Sequence, residues 1–110
     1  MKLVIAIVQD EDSSRLITTM MNEGFGVTKL ATTGGFLKAG NTTLLIGLED
    51  DKLDTCVGLI EKVCKSRRQI TTTTMPMNGT ASNMYAPYPI EVTVGGATIF
   101  VMSVDKFVKF

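Results

Sequence analysis

The sequence predicts an α+β domain of the ferredoxin-like βαββαβ type. Three observations carry the prediction. Short runs rich in β-branched residues alternate with segments of helical periodicity. The two halves repeat one plan of apolar strand, acidic cluster, amphipathic helix and strand. In it Gln9-Asp10-Glu11-Asp12 of the first half corresponds to Leu48-Glu49-Asp50-Asp51 of the second. Finally, 110 residues, 45% of them hydrophobic, are one domain's worth of chain with enough apolar surface for a modest core.

Taken in order, Leu3-Val4-Ile5-Ala6-Ile7-Val8 is a continuous apolar run, as expected of a strand covered on both faces or nearly so. Asp10-Glu11-Asp12-Ser13 is expected to cap the helix that follows, because acids and hydroxyls satisfy free N–H groups and suit the helix dipole. Leu16, Ile17, Met20 and Met21 recur at helical spacing. Gly24 is a helix-end glycine and Gly26 reads as a strand-bulge glycine. Val27–Leu30 and Thr42–Ile46 read as the second and third strands, joined by a glycine-rich loop over 32–41. Glu49-Asp50-Asp51 is expected to cap a second helix, on which Leu53, Val57, Ile60 and Cys64 form the core-facing stripe. The stretch 66–89 shows no clear period and is expected to be a long mobile loop, of which 69–74 could pair as an edge strand. Ile90–Val94 alternates apolar and polar. Gly95-Gly96 then reads as a two-residue hairpin turn, with Ala97–Val104 returning as an extra C-terminal hairpin strand. Two helices cover only one face of such a sheet, so the other face calls for oligomerisation.

Composition excludes several classes of function. Eleven basic and eleven acidic side chains cancel, and the densest basic run is only Lys62, Lys65, Arg67 and Arg68. A nucleic-acid binder needs a cationic stripe. Without histidine the chain has no Ser–His or Cys–His pair and no imidazole base, which points away from an enzyme. Cys56 and Cys64 are eight residues apart on one helix, about 12 Å, too far for a disulfide. Free thiols fit a reducing compartment, and the apolar run after Lys2 is too short for a signal or a membrane span, so a cytoplasmic protein is expected.

The chemistry is concentrated between Thr28 and Gly47. Gly34-Gly35 lets backbone N–H groups converge on an anion, Phe36 offers a face on which a base can stack, and Asn41 offers a donor and an acceptor to an adenine edge. Thr28 and Thr42 supply hydroxyls to phosphate or ribose. The residues alone also fit a plain hairpin loop with Phe36 in the protein's own core and Asn41 at a left-handed turn position. Gly35 to Thr42 nearly matches a Walker A loop, but Asn41 stands at the lysine position and a strand rather than a helix follows. The two acidic clusters read as helix caps rather than as a metal or acid–base pair. The methionines read as core gap-fillers.

Three segments carry a resemblance. Ala6-Ile7-Val8-Gln9-Asp10, the sixteen-residue motif Thr28-Lys-Leu-Ala-Thr-Thr-Gly-Gly-Phe-Leu-Lys-Ala-Gly-Asn-Thr-Thr43, and Tyr88-Pro-Ile-Glu-Val92 with Val94-Gly-Gly-Ala-Thr-Ile-Phe-Val101 are similar to the PII-like cyclic di-AMP receptor proteins, colinearly over nearly the whole chain. The resemblance implies a homotrimer that binds cyclic di-AMP between subunits. It implies no cofactor, no metal, and signal output to an unidentified protein partner through the long loop. The residues that carry over are Thr28, Gly35, Phe36, Leu37, Asn41 and Gly47, with Phe100 from the final strand. Departures are also visible. Such proteins usually carry Asn and Arg just before the matched threonine, where this chain has Gly24 and Gly26. They also carry Gln near the C-terminal Phe, where this chain reads Phe107-Val108-Lys109-Phe110. An alternative is therefore a PII-like sensor of another adenine nucleotide such as ATP or ADP, or a structural trimer without ligand.

Overall fold

The computed structural model describes residues 1–32, 40–76 and 85–110. In chain order these form β1 (Lys2–Gln9), α1 (Asp10–Asn22), β2 (Val27–Thr32), β3 (Asn41–Leu48), a 3₁₀ turn (Asp50–Lys52), α2 (Leu53–Cys64), β4 (Arg67–Pro76), β5 (Tyr85–Val94) and β6 (Ala97–Ser103). A four-stranded sheet runs β2-β3-β1-β6, with every neighbouring pair antiparallel. With α1 between β1 and β2 and α2 between β3 and the ribbon, this is the split βαβ order the repeat predicts.

Strand periodicity divides β1 into two faces. Val4, Ala6 and Val8 are fully buried, whereas Leu3, Ile5 and Ile7 are half-buried. Val4, Ala6 and Val8 point at the helices, where they meet Leu44 and Ile46 of β3, Leu16 and Met20 of α1, and Cys56, Ile60 and Cys64 of α2. Removing a side chain of this size from water contributes roughly 1.5–3 kcal/mol. The α2 stripe is centred on Cys56, Ile60 and Cys64, with Leu53 and Val57 at its flanks. Both cysteines are free and buried, and burial pushes each thiol up to about 11.

Both acidic clusters differ from expectation. Neither helix has a side-chain capping hydrogen bond at its N-terminus. The acids instead form ion pairs: Asp12, 1% exposed, pairs with the distant Arg67 and with Arg15 one helical turn on, and Asp50 pairs with the N-terminal ammonium at 2.9 Å. That ammonium holds the Asp50 carboxyl below the usual carboxylate range. Gly24 does end α1, at φ +89°, but the bulge of β2 lies between Lys29 and Ala31 rather than at Gly26.

The C-terminal third departs from expectation in two places. The described part of 66–89 is not an irregular loop: β4 pairs with β5 in unbroken antiparallel register from Arg67↔Val94 to Pro76↔Tyr85. Nor is Gly95-Gly96 a hairpin turn, since β5 belongs to this two-stranded ribbon and β6 pairs with β1 in the main sheet. The glycines carry the chain from one sheet to the other, with φ +86° and +97°. A Cβ on Gly95 would lie 2.6 Å from an Arg67 nitrogen and 2.7 Å from the Lys65 carbonyl, so only glycine fits. The ribbon makes the molecule long, 67 × 23 × 21 Å with a radius of gyration of 19.0 Å. A compact chain of this length has about 13 Å.

Candidate functional site

The sheet face turned away from the helices carries most of the described candidate residues. Register places Thr28, Leu45, Ile5 and Phe100 in one row across the four strands, with Leu3, Gly47 and Met102 in the row on one side and Ile7, Thr43 and Thr98 on the other. Asn41 closes β3 opposite Gln9. Alternation along β3 turns Asn41, Thr43, Leu45 and Gly47 to this face while Thr42, Leu44 and Ile46 are buried against the helices. Phe100 and Met102 remain 53% and 48% exposed. The face is therefore apolar at its centre and polar at the Gln9–Asn41 end. Gly35, Phe36 and Leu37 lie outside the described residues.

Sharing a face is not sharing a pocket. Thr28 and Phe100 stand on opposite edge strands, three strand spacings or about 14 Å apart. Asn41 and Gly47 are six residues apart on one strand, about 20 Å. Two separate concavities reflect this. One of about 370 Å³ is lined by Ile7, Gln9, Asn41, Gly95-Gly96 and Thr98. The other, about 180 Å³, lies beside Gly24, Gly26 and Gly47 and includes Glu23, Glu49 and Lys52. Its two carboxylates outnumber its one ammonium, a poor setting for a phosphate. A Cβ at Gly26 would meet nothing within 4 Å, so the backbone leaves room for a longer side chain.

The polar end is held by Thr42, expected to offer its hydroxyl to phosphate or ribose but fully buried with that hydroxyl on Asp10, and by Gln9, Asp10, Asp12, Arg15 and Arg67, to which the sequence assigned no site role. Thr42 Oγ1 donates to an Asp10 carboxylate oxygen at 2.6 Å, and the Asp10 N–H donates to the Gly40 carbonyl at 3.1 Å. The Gly95 N–H donates to Gln9 Oε1 at 2.7 Å. Arg67 donates to both Asp12 oxygens, at 2.9 and 3.4 Å. Arg15 reaches Asp12 at 3.3 Å and the Val63 carbonyl at 2.8 Å. The signal for these residues was present in Gln9-Asp10-Glu11-Asp12, but its partners lie 32 to 86 residues away in the chain.

Fold and face together define an α+β protein of ferredoxin-like topology whose one open sheet face carries a threonine, an asparagine and a phenylalanine. More particularly, a cyclic-di-AMP receptor family model matches residues 1–110, and the chain belongs to that family. This is a receptor family and not an enzyme family. Among solved structures, the chain is similar to a functionally unknown protein from Pediococcus pentosaceus, at 41% identity and a TM-score of 0.79, covering 99% of this chain and 96% of that one. Among the described residues no cluster of three or more His, Cys, Asp or Glu could hold a metal ion, and no helix is long and apolar enough to cross a membrane.

Proposed function

We propose that the protein is a single-domain cytoplasmic receptor that binds cyclic di-AMP in pockets shared between the subunits of a homotrimer, and that ligand binding changes its conformation to signal to a protein partner. The supporting observation is the placement of Thr28, Asn41, Gly47 and Phe100 on one uncovered sheet face within a chain of the receptor family. These residues are spread over about 14 × 20 Å, too widely for one small pocket inside a subunit. Neighbouring copies meeting across this face would bring Asn41 of one near Thr28 and Gly47 of another. The proposed ligand contacts are Thr28 and Asn41 to phosphate or base, Phe36 stacked on adenine, Gly35, Leu37 and Gly47 as close backbone and contact surface, and Phe100 as apolar wall.

Isothermal titration of the purified protein with cyclic di-AMP, with cyclic di-GMP and ATP as controls, tests this reading. The expected result is saturation at one cyclic di-AMP per chain, lost in Phe36→Ala and Asn41→Ala. Absence of heat and of thermal stabilisation by cyclic di-AMP would sink it.

A second reading, a sensor of a different adenine nucleotide such as ATP or ADP, comes from Gly24 and Gly26 standing where such receptors usually carry Asn and Arg. The carboxylates of Glu23 and Glu49 beside them disfavour phosphate of either ligand at this corner. Gly26→Arg should restore a charge-assisted contact worth roughly 1.5–3 kcal/mol, tightening cyclic di-AMP about ten- to a hundredfold. Tighter ATP binding with unchanged cyclic di-AMP affinity would favour the second reading.

A further inference from the structure

We infer that the first turn of α1 couples the Asn41 end of the sheet to the base of the β4–β5 ribbon, with Asp10 as the positioning residue of Asn41. The inference rests on the proposed ligand reading only for the direction in which the coupling is used. Three residues within four consecutive positions, Gln9, Asp10 and Asp12, hold both sides. Asp10 grips the stem that carries Asn41 from either side, through its carboxylate on Thr42 and its N–H on Gly40. Gln9, the register partner of Asn41, accepts the Gly95 N–H where the ribbon returns to the sheet. Asp12 is buried and holds Arg67, the first residue of the ribbon, through two nitrogens.

Among the described residues the ribbon has few other anchors. Its strands pair with each other and not with the main sheet, and beyond the ties to Gln9 and Asp12 its base is fixed by the Gly96 N–H on the Cys64 carbonyl and by Arg67 on the Lys65 carbonyl. The concavity at Asn41 is walled by Gly95-Gly96 itself, so an occupant would touch the link that sets the ribbon's direction. Leverage is considerable. Ten paired residues extend about 33 Å, so a rotation of about 5° at the base moves the far end about 3 Å. Coupling is reciprocal: whatever fixes the ribbon base also preorganises Asn41.

Hydrogen exchange read by mass spectrometry over 67–76 and 85–96 tests the coupling. In the unmodified protein, saturating cyclic di-AMP should slow exchange at the ribbon base at least about threefold. Arg67→Ala should bind cyclic di-AMP within about threefold of normal yet lose that response, and Arg67→Lys should keep part of it. An unchanged ribbon base at saturation, or a full response in Arg67→Ala, overturns the inference. Thr42→Val in the ligand-free protein provides an arm that needs no ligand. It should speed exchange over 92–96 at least about threefold, and an unchanged rate overturns the coupling. Failure of cyclic di-AMP to bind, with the Thr42→Val effect present, would instead count against the ligand reading alone.

Discussion

The main sheet and the β4–β5 ribbon are both antiparallel, both rich in β-branched residues, and stabilised by different means. In the main sheet each strand places one face against two helices, and residues such as Val4, Leu44 and Ile46 are wholly removed from water. In the ribbon Ile70 is 74% exposed, and the Arg68–Glu91 ion pair is solvent-facing. Backbone pairing alone gives two strands marginal stability in water, because hydrogen bonds to solvent are exchanged for hydrogen bonds to chain with little net gain. What holds the ribbon's direction is its base, and there the polar groups are partly buried and charged. Strand formation and strand placement are thus separate problems with separate solutions.

The sharpest way to break this comparison is truncation on each side of it. Leu16→Ala should cost about 2–5 kcal/mol in denaturant unfolding, from lost transfer energy and the cavity left behind. Ile70→Ala should cost less than about 0.5 kcal/mol. Equal costs would mean that the ribbon is packed against something in solution.

Alkali provides the next largest effect and acts on one side only. Both cysteines lie on α2, and their folded-state values, about 11, exceed the ordinary thiol value of 9.0. Stability from keeping the thiols neutral is therefore complete below about pH 9 and is lost as pH rises through 11. The loss is on the order of 3 kcal/mol per thiol at full ionisation. Urea midpoints measured at pH 8 and pH 10.5 should fall accordingly. Cys56→Ala/Cys64→Ala should flatten the decline while starting from lower stability.

The smallest effect sharpens the comparison at the Gly24–Gly26 corner. Gly24 has φ +89° and Gly26 does not, and a Cβ meets nothing within 4 Å at either. Gly24→Ala should destabilise by about 1 kcal/mol, whereas Gly26→Ala should stabilise by about 0.4–1 kcal/mol by restricting the unfolded chain. Thermal unfolding of the two variants should thus move in opposite directions.

Local structure was legible in the sequence where one short-range rule governs it. The periodicity of Leu16, Ile17, Met20 and Met21, the alternation of β1 and the glycine at the end of α1 all follow from neighbours within one turn or one pleat. The repeat of acidic cluster and helix indicated the βαββαβ class, but Ala97–Val104, expected as an extra hairpin strand, is instead the edge strand of the main sheet beside β1. Pairing partners were harder. Gly95-Gly96 signals a sharp change of direction but does not say whether the strands on either side pair with each other. Pro87 and Pro89 stand in a strand, opposite Thr74 and Thr72, in a ribbon in which both strands are edges, the setting that tolerates residues without an N–H. Thr71 to Thr74 are good strand formers, and 69–74 does pair as the edge strand that the sequence allowed, within a longer ribbon than expected. Asp12 reads as a helix cap because caps are local, whereas Arg67, which holds it through two nitrogens, lies 55 residues away. Of the site, the face bearing Thr28, Asn41, Gly47 and Phe100 follows from strand alternation, whereas the Asp10 and Gln9 ties do not.

The length of the ribbon affects how the assembly should be measured. A radius of gyration of 19.0 Å is that of a compact chain of about 290 residues. On a gel-filtration column calibrated with globular standards, a lone subunit of 11.9 kDa would therefore run close to where three compact copies belong. Light scattering or sedimentation equilibrium, which weigh particles instead of sizing them, separates one subunit from three.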